Sequence, residues 1–172
     1  MQQKSINYLI EQLNDEEDAS ARLEAARELG RLLEAPLDAL PHLFTHLVDE
    51  DHMVQKACIV SLGRIAKKAP EVKAEVVDAL KIKLKDVDRW TKYWAANWLI
   101  KLDIKTNAIL LVLLKCLDNR EDMILRKSAA ETLVELKEFS ETIIPELEKI
   151  RKNDPQEIVR KTATDCLLKL RD

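Results

Sequence analysis

Apart from the usual carboxylates and amines, the side chains of this chain that could act as bases, nucleophiles or metal ligands are three histidines, His42, His46 and His52, and three cysteines, Cys58, Cys116 and Cys166. His42 and His46 stand four residues apart, on one face of a helix, a spacing that suits two metal ligands. No HExxH motif and no third ligand accompanies them, so a solvated helix face is expected, with no metal. The cysteines form no CxxC pair or Cys/His cluster, and their odd number argues against a disulfide framework. Buried thiols are expected instead. With only 2 glycines and no GxSxG, P-loop or GxGxxG motif, the chain has neither a nucleophile elbow nor a phosphate-cradling loop. The reading is a protein that is not an enzyme and carries no cofactor.

The elements that position these residues are set by a composition rich in helix formers. Hydrophobic residues make up 47% of the 172 positions and charged residues 34%, against 5 prolines and 4% aromatics. The formal net charge of −3 provides no global attraction to nucleic acid or to an anionic membrane. The opening Met1-Gln2-Gln3-Lys4-Ser5 has no apolar stretch behind a basic start, and the longest apolar run, Ala108 to Leu114, is far below the roughly 20 residues of a spanning helix. These features predict a soluble, cytoplasmic protein without membrane contact.

Internal periodicity dominates the sequence. Five segments superimpose without gaps: ARLEAARELGRL from Ala21, VQKACIVSLGRI from Val54, TKYWAANWLIKL from Thr91, LRKSAAETLVEL from Leu125 and VRKTATDCLLKL from Val159. The fifth residue is small (Ala25, Cys58, Ala95, Ala129, Ala163), the ninth is always Leu (Leu29, Leu62, Leu99, Leu133, Leu167), and the twelfth is Leu or Ile. Those offsets share one helical face, on which the small residue admits a neighbouring helix and the larger ones fill the space beside it. The fifth positions are 33, 37, 34 and 34 residues apart, a length that fits a helix pair, and each motif is preceded by a further amphipathic segment. The pattern predicts an all-α solenoid of about ten helices in a single domain, 1–172, with repeats near 1–34, 35–69, 70–104, 105–139 and 140–172. Asp15, Asp49, Asp86, Asp118 and Asp154 open the turn inside each repeat and are expected to accept the first N–H groups of the following helix.

The pattern D-x-x-x-x-V-R-x-x-A-A-x-x-L-G-x-L, seen best at Asp154 with Val159 to Ala163 and at Leu125 to Ala130, resembles the HEAT family, in particular the short HEAT-like repeats also found in phycobilin lyases. The resemblance implies a right-handed α-α superhelix of five helical hairpins. It also implies a ladder in which the Arg after the first position pairs with the turn Asp of a neighbouring repeat. Gln55 replaces that basic residue in the second repeat, where the ladder is expected to break, and the family's Gly persists only as Gly30 and Gly63. A di-iron hydroxylase of this architecture uses His-Glu pairs, and none of the three histidines here precedes Glu.

In such a solenoid the second helices line the concave surface, where partners usually bind. The third repeat places Trp94 and Trp98 in the fourth and eighth columns, where other repeats hold smaller or polar groups, with Tyr93, Asn97, Lys101 and Arg64 beside them. One reading makes these six residues an anchor for a protein or peptide partner. The other buries one or both indoles, because the 37-residue repeat distorts local packing. Trp90, whose column reads Met53, Trp90, Ile124 and Ile158, is assigned to the core. Lys56, Lys92, Arg126, Lys127, Arg160 and Lys161 form a basic run, so the alternative function is nucleic-acid binding with the Trp pair stacking on bases. An accessory role like that of a phycobilin lyase or a metal hydroxylase comes third. Leu168 on the last helix suggests weak self-association through the C-terminal repeat.

Overall fold

The structure is a computed structural model that describes residues 2–171. Among the described residues there are ten α-helices and no strand: α1 (Gln2–Leu13), α2 (Ala19–Arg31), α3 (Leu40–Thr45), α4 (His52–Lys68), α5 (Lys73–Lys83), α6 (Arg89–Lys101), α7 (Asn107–Leu117), α8 (Met123–Leu133), α9 (Ser140–Asn153) and α10 (Glu157–Arg171). Short 3-10 turns flank α3 and precede α5 and α9. Among the described residues no helix is long and apolar enough to cross a membrane.

The chain divides into two compact units, Met1–Lys85 and Asp86–Asp172. In the first, α1 packs on α2, α3 packs on α4, and α2 lies against α4. In the second, α7 pairs with α8 and α9 with α10, while α6, α8 and α10 are neighbours in succession.

The periodic positions form the core. Every ninth-position Leu and every small fifth residue is buried, and each fully buried Leu contributes roughly 1.5–3 kcal/mol. The twelfth position is buried at Ile65, Leu102 and Leu136 but only half-buried at Leu32 and Leu170, which lie in the first and last repeats. All three cysteines are buried and free. Burial raises their thiols, those of Cys116 and Cys166 to about 11, so thiolate chemistry is suppressed at neutral pH.

The turns divide their work differently from the expectation. The carboxylates that cap helices are Asp18, Asp51, Asp88 and Asp122, each accepting from backbone N–H groups of the first turn. Asp15, Asp49, Asp86 and Asp154 instead accept the N–H two or three residues ahead and close the turn before the helix begins. In the fourth repeat this role belongs to Asn119, not Asp118, which is exposed. Caps and turn closers alike reach two or three residues ahead, but only the Asp that adjoins the helix can accept the helix's own first N–H groups.

Those turn residues also receive the ladder. Arg22 is buried and donates from Nε and Nη2 to both oxygens of Asp49, at 2.9 and 3.0 Å, and from Nη1 to the carbonyl of Asp15. Arg126 repeats the arrangement in the second unit, donating to Asp154 at 2.6 and 3.0 Å and to the carbonyl of Asn119. Desolvation would raise the Asp49 carboxyl, but the hydrogen bonds from Arg22, the Asp51 N–H and His46 outweigh it and hold the group below its ordinary range. Gln55 turns its amide to the Asp49 carbonyl within its own repeat.

Gly30 allows α2 to meet α4. A Cβ there would lie 2.8 Å from the Cα of Ser61, whose hydroxyl donates to the Ala26 carbonyl at 2.6 Å. Asp103 ends α6 at φ 63°, its N–H reaching Ile100 and that of Ile104 reaching Leu99, a Schellman closure in which Gly is the usual residue.

Two outcomes follow for chemical denaturation. Arg126→Ala strands the buried Asp154 carboxylate and should cost about 3–5 kcal/mol. Gly30→Ala pushes α2 against the backbone of α4 and should cost about 1–3 kcal/mol.

Candidate functional site

Position around each second helix follows from about 100° of rotation per residue. Taking the small fifth residue as the centre of the core face, the eighth column lies about 60° away, the fourth about 100° and the residue before the first about 140°. The structure follows this order, and it separates the two indoles expected to act together.

Trp98, in the eighth column, is only 7% exposed. In two other repeats the same column makes a contact between second helices within one unit: Ser61 donates to Ala26, and Cys166 Sγ lies 3.4 Å from the Ala130 carbonyl. Lys101 places its ammonium 5.0 Å from the Trp98 ring centroid and so covers the rim of a packed side chain. Tyr93 is 5% exposed. Thr132 directs its hydroxyl hydrogen to the Ser128 carbonyl at 2.9 Å, which makes Tyr93 the donor to Thr132 Oγ1 at 3.1 Å and fixes α6 on α8. Asn97 is half-buried.

Trp94 is half-buried, and its stacking partner is Trp90. The two rings are 6.2 Å apart with an interplanar angle of 23°, and Tyr93 meets each edge-on. The core assignment of Trp90 does not hold. It is half-buried, and its column points outward, with Met53 45%, Ile124 60% and Ile158 46% exposed. The column is apolar without being buried, because its offset of about 140° from the core face turns it outward.

Trp90 donates its indole N–H to Asp122 Oδ2 at 2.7 Å, while Oδ1 of the same carboxylate caps α8 through Leu125. The ring therefore stands in a fixed orientation at the edge of an open depression of about 700 Å³ that also involves Val87, Met123 and Ile124. All three are exposed. Asp88, Glu121 and Asp122 give this depression an acidic border, with Arg89 beside them.

The basic run is not a continuous free stripe. Arg126 is buried in the ladder, Arg160 Nη1 donates to the Asp154 and Pro155 carbonyls, and Lys127 pairs with Glu131. Arg64 lies in the first unit, half-buried, in a depression with Arg27, Arg31 and Lys56. His42 and His46 both meet Asn14, and His46 Nδ1 is 2.8 Å from Asp49 Oδ2. No three His, Cys, Asp or Glu among the described residues are grouped to hold a metal.

A family model for HEAT repeats matches residues 6–89 and, in a second copy, residues 77–168. No curated protein matches the chain. Solved structures with a similar fold include an engineered protein at 24% identity, TM-score 0.64, covering 96% of this chain and 79% of that one. A designed armadillo repeat protein in complex with the peptide (KR)4 is similar at 18% identity, TM-score 0.67, covering 98% and 83%. Computationally designed armadillo repeat proteins for modular peptide recognition are similar at 18% identity, TM-score 0.63, with the same coverage. These likenesses show the fold, that of helical-repeat solenoids.

Alanine substitution distinguishes the two indoles. Trp98→Ala removes a buried ring and is expected to lower unfolding free energy by about 3–5 kcal/mol, whereas Trp94→Ala should change it by less than about 1 kcal/mol in the same urea titration.

Proposed function

This chain belongs to the HEAT repeat family, and from that premise we propose that it is a non-enzymatic scaffold that binds a protein partner on the outward face of the second helices α6, α8 and α10. The observation that carries this reading is the Trp90–Trp94 stack beside Val87, Met123 and Ile124, with Ile158 exposed in the same column of α10. Exposed apolar side chains, with a half-buried indole pair held in place at their edge, supply contact area at little further entropic cost. Of the six residues picked from the sequence, Trp94 is the one that serves this surface directly. Tyr93 supports it from below, holding α6 against α8.

The acidic border formed by Asp88, Glu121 and Asp122 favours a partner that brings apolar side chains flanked by cations. The designed armadillo protein whose bound peptide is (KR)4 has a comparable fold and a basic ligand. Non-enzymatic action is supported by the chemistry of the reactive groups: the thiols are buried with raised pKa, and His46 is engaged with Asp49 in a turn.

The test is capture from a native extract of the source cells by immobilised protein, comparing wild type with Trp90→Ala/Trp94→Ala and with Leu168→Ser, an exposed residue on α10. A protein retained by wild type and by Leu168→Ser, and reduced at least about tenfold by the double variant at unchanged helicity, is the expected result. Retention by all three would place recognition elsewhere, and salt-labile recovery of nucleic acid alone would replace this reading with nucleic-acid binding.

A further inference from the structure

In the first unit the turn after α1 meets the second hairpin through one amide. Asn14 directly follows α1, and its backbone N–H donates to the Ile10 and Glu11 carbonyls at 3.1 and 3.2 Å. Its side chain lies between two imidazoles, His42 on α3 and His46 in the 3-10 turn that follows. Asn14 Nδ2 is 2.9 Å from His42 Nδ1, and Asn14 Oδ1 is 3.3 Å both from His42 Nδ1 and from His46 Nε2. Along the chain the two histidines have no third ligand near them, but folding brings a third donor atom from 28 residues upstream of His42.

The ring nitrogens turned to this amide are the ones that carry lone pairs. Asp49, which receives both prongs of Arg22, is an ionised acceptor, so His46 donates its Nδ1–H to Asp49 Oδ2 at 2.8 Å. A carboxylate at Nδ1 fixes the tautomer and leaves Nε2 as the basic nitrogen, the arrangement by which proteins orient a metal-ligating imidazole. His42 Nδ1 accepts from the Asn14 amide and is likewise unprotonated. In a tetrahedral site with metal bonds of about 2.0–2.1 Å the ligand atoms stand about 3.3–3.4 Å apart, the separation of Asn14 Oδ1 from each ring nitrogen. Octahedral edges at similar bond lengths would be about 2.9 Å. The His46 side chain is 15% exposed and Asn14 lies on the surface, so a cation can enter from solvent and keep a water ligand.

We infer that His42 Nδ1, His46 Nε2 and Asn14 Oδ1 bind one divalent transition cation of the Zn²⁺ class, with water as the fourth ligand, against the expectation of a merely solvated histidine pair. Two imidazoles select such a borderline metal over Mg²⁺ or Ca²⁺, which take oxygen donors. Asp49 orients His46 from the side away from the metal. The ion joins the end of α1 to α3 and so adds, through Asp49, to the tie that Arg22 makes between the first two repeats. An unfolded chain does not hold the three donors together, so the bound cation stabilises the folded first unit. This site shares no residue with the aromatic surface of the second unit and does not depend on it.

The experiment uses the full chain, stripped with chelator and desalted, in a calorimetric titration with Zn²⁺, and takes Co²⁺ as the spectroscopic probe. One Zn²⁺ should bind per chain, Co²⁺ should develop the intense visible absorption of a tetrahedral site, and Mg²⁺ should not bind. His42→Ala and His46→Ala should each weaken Zn²⁺ binding by at least about tenfold. Asn14→Asp, which puts a carboxylate oxygen where the amide stood, should tighten it. Zn²⁺ should raise the melting temperature of the wild type but not that of His42→Ala/His46→Ala, while His52→Ala, outside the cluster, behaves as wild type. Unchanged affinity in either single histidine variant, weaker binding by Asn14→Asp at unchanged helicity, an octahedral Co²⁺ spectrum, or absence of saturable binding would each overturn the proposal.

Discussion

A guanidinium buried in a turn organises this protein. Arg22 and Arg126 each leave their own second helix, satisfy carbonyls of the turn inside their own repeat, and close a two-pronged bond on the Asp of the corresponding turn in the next one. The same Asp folds its own turn by accepting a backbone N–H. One side chain therefore ties three backbone segments together, and the attraction is strong because both partners are almost free of water. Hydrophobic stacking drives the helices together but is tolerant of rotation. A planar donor matched to a planar acceptor sets the register between one hairpin and the next.

The third repeat shows what happens where that device is absent. Lys92 and Asn119 occupy the positions of the Arg22–Asp49 and Arg126–Asp154 pairs. The join between α6 and α8 is made instead by Trp90 donating to Asp122 and Tyr93 donating to Thr132. Both links use aromatic side chains with a polar tip, which bury a large ring and still satisfy a hydrogen bond. The consequence reaches the surface, because an indole tethered by its N–H cannot fold back into the core. It stands beside Trp94 as a rigid ledge, and the apolar column of Ile124 and Ile158 extends that ledge along the unit.

The two units thus offer unlike surfaces built from equivalent columns of one repeat. In the first, the outward positions of α2 and α4 hold cations around a small apolar floor. In the second, the outward positions of α6 and α8 hold indoles and aliphatic groups edged by carboxylates. A repeat scaffold permits this because its core columns carry the folding energy, leaving the outward columns to vary at little cost to stability.

The sequence by itself determined the helices, their pairing and their core faces. Small residue, Leu and a final aliphatic recur at offsets that only an α-helix places on one side, and five repetitions make the signal additive. It also marked the turns between helices, since Pro, Asp and Asn interrupt the pattern where a turn must form. Tertiary structure decided the fate of individual side chains near the edge of a face. Trp98 and Trp94 are indistinguishable by type, yet across some 40° of rotation one is buried and the other half-exposed. Trp90 reads as core from its apolar column, whereas its helical offset from the core face turns it outward and its bond to Asp122, 32 residues away, fixes the ring there. Arg126 and Lys127 are adjacent cations in the sequence, and packing turned one into a buried strut and the other into a surface charge. Periodicity is a property of neighbours along the chain, whereas exposure depends on what a distant segment brings against each residue.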